Sequence, residues 1–186
     1  MTKVSGLAVQ TLPNFLKTKF GDDGYRRWFD SLSPLAKTIY EKPVTITEWF
    51  AIPDSYIEPM KLMCKMFYNG KERGAWEIGR YSAEYALKGV LKVFLKLGSV
   101  NFFIKRAAAV IPNYYNPCTI DVVENGHGKA VMRLKGFEDN HLLIENRIGG
   151  WMERALEISG CKMRTVTISR LTDESESYTD FTVRWK

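Results

Sequence analysis

The chain has 186 residues, 45% of them apolar and 13% aromatic, which is ample for a packed core and excludes a disordered chain. Its 27 Lys and Arg stand against 21 Asp and Glu, a net charge of +6 that favours solubility; the basic residues are spread along the chain and leave no nucleic-acid footprint. No apolar run approaches the length of a membrane span, residues 1–7 lack a signal-peptide block, and the three cysteines (Cys64, Cys118, Cys161) form no pair motif, so reduced thiols in a cytoplasmic protein are expected.

The first ten residues read as a loose lead-in. Thr11 and Pro13 open a helix that carries Phe15, Leu16 and Phe20 and stops at Gly21. A second short helix follows to about Leu32, with Tyr25, Trp28, Phe29 and Leu32 on its apolar side. Ser33-Pro34 starts a third, which ends near Tyr40. Residues 45–50 read as a helical turn, and 54–68 as a helix with Tyr56, Met60, Met63 and Phe67 on one face, closed by Asn69-Gly70. The longest helix spans Ala75 to Leu97, apolar at Ile78, Tyr81, Tyr85, Val90, Phe94 and Leu97, with Lys88, Lys92 and Lys96 on another face. A further helix runs from Ser99 to Pro112.

Beyond Pro117 the period changes to two. Ile120 and Val122 alternate with Asp121, a turn is expected at Asn125-Gly126, and Ala130, Met132 and Leu134 alternate with charged residues. Asp139 or Asn140 caps a helix with Ile144, Ile148, Trp151, Met152, Ala155 and Leu156 as its apolar positions, ended by Gly160. Two more strands, Cys161–Leu171 and Tyr178–Trp185, flank an acidic loop. The expected fold class is α+β: an N-terminal helical layer packed on a C-terminal four-stranded antiparallel sheet with one crossing helix (ββαββ). Residues 1–186 read as a single domain, mainly helical over 1–112 and ββαββ over 113–186.

Chemistry-bearing clusters are scarce. The only histidines are His127, in a turn, and His141, beside a helix start, and both read as exposed. A metal site needs three or four convergent ligands, and no spacing here supplies them. There is no nucleophile motif, and the cysteines sit among apolar neighbours. Glu77, Glu84, Glu145 and Glu153 are the carboxylates that could meet in space. Two adjacent glycines inside a helix, Gly149-Gly150, cost about 1 kcal/mol each relative to alanine. Close backbone approach, by the underlying sheet or by a ligand, would offset that. Phe94, Phe102, Phe103, Tyr114, Tyr115, Trp151 and Met152 form either ordinary core or the lining of an apolar pocket. Lys88, Lys92, Lys96, Lys105 and Arg106 form a basic strip, either an anion site or a solvated face.

Gly79-Arg80, Leu97-Gly98 and Asn113-Tyr114-Tyr115, with Gly149-Gly150-Trp151, Ala155-Leu156, Gly160 and the terminal Val183-Arg184-Trp185, resemble the landmarks of a bacterial family of about this length. That family is similar to the haem nitric-oxide/oxygen-binding domains and the four-vinyl-reductase small-molecule-binding domains. The resemblance implies helices packed on a C-terminal antiparallel sheet with a ligand cavity between them. Haem-binding members share a proximal helical histidine and a Tyr-x-Ser-x-Arg motif, and neither has a counterpart in this sequence. The expectation is therefore a non-enzymatic, sensory-type domain that binds a small apolar or amphipathic molecule, without haem or another cofactor and without metal. Phe94, Phe103, Tyr115, Trp151 and Met152 are expected to line the pocket. The alternative is a protein–protein interaction module, such as a homodimerising domain, with no ligand; neither reading involves nucleic acid.

Overall fold

The computed structural model describes residues 2–88, 104–105, 108–137, 141–162, 164–173 and 176–186. The lead-in is ordered: β1 (Lys3–Ser5) runs into a single helical turn, α1 (Gly6–Val9), whose Val4, Ala8 and Val9 are buried. Helix α2 (Thr11–Asp30) breaks at Gly21, where φ of 71° is open to glycine and strained for other residues, so it is two abutting helices as its sequence suggests. Helix α3 (Pro34–Tyr40) starts at Ser33, whose hydroxyl accepts from the Ala36 N–H at 3.2 Å. The Glu58 carboxylate accepts from the Ser33 N–H and Oγ at 2.8 and 2.7 Å, tying that start to the next helix.

Residues 45–50 are not a helical turn. They lead into β2 (Trp49–Ala51), which pairs antiparallel with β1, and β1 pairs on its other side with β3 (Tyr115–Asn116). This three-stranded sheet, in the order β2-β1-β3, fastens the N-terminus to the middle and the end of the helical part. A wide turn at Pro53–Ile57 precedes α4 (Glu58–Phe67). Helix α5 is described over Arg73–Lys88; the rest of the expected long helix and most of the next one lie outside the described residues.

The larger sheet follows the alternating pattern closely. Strands β4 (Thr119–Gly126), β5 (Lys129–Lys135), β6 (Thr165–Asp173) and β7 (Glu176–Arg184) are antiparallel in the order β4-β5-β7-β6. The first hairpin turns at His127-Gly128, two residues later than expected, because Gly128 takes the positive φ of 73°. The fold is thus α+β with a four-stranded antiparallel sheet. Ala130, Met132 and Leu134 of β5 and Phe181 and Val183 of β7 form its buried face, with Met132 opposite Phe181 and Ala130 opposite Val183.

Helix α6 (Leu142–Ile158) crosses between β5 and β6. It is capped by His141, whose Nδ1 accepts from the Leu143 N–H at 3.1 Å; Asp139 and Asn140, the expected caps, lie outside the described residues. One face packs on the sheet through Met152, Ala155 and Leu156 against Met132 and Val183, leaving a gap of only about 10 Å³. Another face meets α5 backbone to backbone. A Cβ at Gly79 would collide with the Arg147 carbonyl and the Trp151 amide, and one at Gly150 with the Trp76 carbonyl. The close approach that Gly149-Gly150 requires is therefore made chiefly by a neighbouring helix. Ion pairs rim the crossing: Arg80 with Glu153 and Glu157, Arg154 with Glu84 and Glu157, and Arg164 with Glu157.

Two outcomes follow for stability. Gly79→Ala and Gly150→Ala are each expected to cost about 1–3 kcal/mol in urea denaturation, since the clash is with backbone and the helix must move. The clash must first offset the ~1 kcal/mol an alanine adds to helix propensity, and a Cβ driven into a backbone carbonyl does so. Gly149→Ala meets side chains and no backbone, the edge of the Trp76 ring 2.6 Å away and Ile168 Cδ1 at 3.3 Å, and is expected to cost less than either. The Glu157 carboxyl is held down to about 2, from its usual 4.5, by Arg154 and, behind it, Arg80. Its contribution to stability is present above pH 4.5 and lost as pH falls towards 2. Thermal melts across that window should show the wild type losing more stability than Glu157→Gln; parallel curves would contradict the assignment.

Candidate functional site

The helical layer and α6 do not close completely on each other. A cavity of about 500 Å³ remains between them. Leu7, Ala8 and Thr11 wall it from α1 and the start of α2, and Tyr56 from the turn before α4. Gly79, Ser82, Tyr85 and Ala86 of α5 form a second wall, and Val110, Ile111, Asn113, Tyr114 and Tyr115 a third. Helix α6 supplies Arg147, Ile148 and Trp151. Pairing of β1 with β3 holds Leu7 and Ala8 beside Tyr115, with the Ser5 N–H donating to the Tyr114 carbonyl at 2.9 Å.

Arg147 is the single charged residue among the described lining residues, and it is only 4% exposed. Its Nη2 donates to the Ala8 carbonyl at 2.8 Å, to Thr11 Oγ1, and to Ser82 Oγ at 3.3 Å. The guanidinium carbon lies 4.7 Å from the centre of the Tyr56 ring, a cation–π contact. Its Nη1 is buried and has no hydrogen-bond partner among the described residues by donor–acceptor geometry. The indole N–H of Trp151, a residue 8% exposed, is in the same state. Arg147 and Trp151 are four residues apart, so one face of α6 presents both.

Beside them Tyr56 and Tyr115 share a hydrogen bond of 2.6 Å between their hydroxyls. Burial raises both phenols, Tyr115 well above 10, although Arg147 pulls each part of the way back. Both are therefore neutral donors at physiological pH. Two O–H protons with one bond between them leave one proton for a further acceptor.

Of the expected pocket residues, Tyr115 and Trp151 line this cavity, and Phe94 and Phe103 lie outside the described residues. Met152 does not line it; one residue on from Trp151, it is turned towards the sheet. Arg147, Tyr56 and Ser82 were not anticipated as site residues. Of the basic strip, Lys88, Lys92, Lys96 and Arg106 have no described side chain, and Lys105 is exposed.

The remaining candidates are accounted for elsewhere. Glu77, Glu84, Glu145 and Glu153 do not meet: they pair respectively with Arg73, Arg154, Arg170 and Arg80. Among the described residues no group of three or more His, Cys, Asp or Glu is placed to hold a metal ion. His127 sits in the β4–β5 turn and His141 at the start of α6, the latter half-buried and lowered in pKa by that burial and by Lys61 and Arg170; neither lines the cavity. The three thiols are buried and unpaired, and burial pushes Cys64 and Cys118 up to about 11.

Alkaline titration tests this polar corner. Unfolded tyrosines ionise near 10, whereas Tyr40, Tyr56 and Tyr115 resist ionisation in the folded protein because burial disfavours the phenolate. Stability is expected to fall as pH rises past 10, because the unfolded state then loses protons that the folded state keeps. Tyrosinate absorbance should lag in the native protein and be complete in urea. Coincident ionisation of all nine tyrosines in the folded state would contradict this burial.

No family model and no curated protein matches the chain. Its fold is nevertheless that of the H-NOX domains. The Fe(II) unliganded H-NOX protein from K. algicida superposes with a TM-score of 0.70 at 8% identity, over 98% of this chain and 96% of that one. A mutant of the T. tengcongensis H-NOX gives 0.68 at 13% identity, over 98% and 97% of the two chains. An oxygen-binding H-NOX domain related to soluble guanylate cyclases, in its oxygen complex, gives 0.66 at 13% identity, over 98% and 95%. What this chain shares with these haem nitric-oxide/oxygen-binding proteins, at such identities, is the α+β fold.

Proposed function

We propose that the chain is a non-enzymatic, sensory-type small-molecule-binding domain whose ligand occupies the cavity between α5, α6 and the N-terminal segment, and that this ligand is not haem. The observation that carries the reading is the cavity itself: about 500 Å³, within the size range of ligand sites, walled mainly by apolar and aromatic side chains. Tyr115 and Trp151 are its binding residues from the expected set. Residues 1–186 act as one domain in this reading, because the walls come from both the helical part and the ββαββ part.

The donor set argues against an iron porphyrin. Neither histidine of the chain reaches the cavity, and its described lining holds no cysteine or methionine. Of the phenols that line it, Tyr56, Tyr114 and Tyr115 are raised in pKa, away from the phenolate an iron ligand would need. The absence of a nucleophile–base couple among the described lining residues supports a binding role over a catalytic one.

Native mass spectrometry of protein purified from its own host tests both halves. The expected result is a bound mass that is lost on denaturation, with no haem absorption band before or after adding haemin. Ligand-free protein in every preparation, or stoichiometric haem uptake with a sharp absorption band, would overturn the reading.

A further inference from the structure

The cavity is apolar over most of its wall, yet two buried donors within it have no acceptor among the described residues. Arg147 Nη1 and Trp151 Nε1 are both unpartnered, and both residues are more than nine-tenths buried. No carboxylate of the described residues pairs with Arg147; its Nη2 bonds to a carbonyl and two hydroxyls, and the Tyr56 hydroxyl, also neutral, interacts with the guanidinium as well. A buried guanidinium normally has an anion against it, because neutral acceptors do not replace the hydration that it gave up. The unshared proton of the Tyr56–Tyr115 pair adds a third donor in the same corner. An apolar wall with its donors gathered at one place and one positive charge describes the complement of an amphiphile.

We infer that the ligand is a singly charged amphiphilic carboxylate, its head accepting from Arg147 Nη1 and Trp151 Nε1 and its apolar body lying against Ile111, Ile148 and Tyr115. This rests on the cavity being a binding site, as proposed above. A single negative charge is specified because the described lining carries a single positive one; a dianionic phosphate would leave a net charge buried in an apolar enclosure. A neutral alcohol would satisfy a donor but leave the guanidinium without its counter-charge.

Calorimetric titration with octanoate, 1-octanol and octyl phosphate tests the inference on the intact protein, at a pH where octanoic acid is ionised and octyl phosphate carries two charges. Octanoate is expected to bind about 10-fold or more tightly than 1-octanol, as charge-assisted hydrogen bonds to a buried guanidinium imply. Arg147→Met should weaken octanoate far more than 1-octanol and so remove that preference, and Trp151→Phe, which keeps the ring and removes the N–H, should reduce it. Should Arg147→Met fail to fold, the wild-type comparison and Trp151→Phe decide. Equal affinity for octanoate and 1-octanol would overturn the carboxylate assignment and leave the cavity reading standing. Tighter binding of octyl phosphate would overturn the single-charge argument. Failure of all three to bind would overturn this inference together with the cavity reading on which it rests.

Discussion

The backbone contact between α5 and α6 is the constraint on which the rest of the structure depends. Gly79 on one helix and Gly150 on the other remove the Cβ atoms that would hold the two helices apart, and Gly149 makes room for the edge of the Trp76 ring. With the axes this close, α6 presents three distinct faces. One meets α5, one lies on the sheet through Met152, Ala155 and Leu156, and one carries Arg147, Ile148 and Trp151 into the cavity. The arginine–glutamate pairs around Glu157 fix the register of the same crossing from outside.

Arg147 is the residue hardest to explain as packing. Taking a guanidinium out of water costs several kcal/mol unless it is paired, and an apolar residue of similar volume at that position would commonly be neutral or stabilising. The fold instead surrounds it with three acceptors on one nitrogen and leaves the other open. Departures from the packing rule concentrate where a structure does something besides fold. Here the departure coincides with the apolar cavity, with a second orphaned donor one helical turn away, and with a hydroxyl pair kept neutral by burial. These features together, more than the volume of the cavity, give the binding reading its content.

Much of the fold was legible. Alternation in residues 119–135 and 165–184 carries the four-stranded sheet, although it is interrupted between Val122 and Glu124 and by the buried runs Ala130–Met132 and Thr179–Phe181. The small sheet was not legible, since strands of two or three residues show no period: β1 read as a lead-in and β2 as part of a helical turn. The site was legible in part. Tyr115 and Trp151 stand out as aromatics near a structural transition, whereas Arg147 is a charged residue that the apolar pattern of α6 does not mark. The signal was present: Ile144, Arg147, Ile148 and Trp151 recur at three- and four-residue steps, which places an arginine within an apolar stripe. Gly149-Gly150 announced a close approach, but the identity of the approaching element is a tertiary fact that no local pattern contains.

The most direct test of the account is a crystal structure of the protein purified from its own host without added ligand. Electron density inside the cavity that ends in a branched head within hydrogen-bond distance of Arg147 Nη1 is the predicted result. A cavity closed by side chains, with Arg147 Nη1 bonded to a carboxylate of the protein itself, would contradict it.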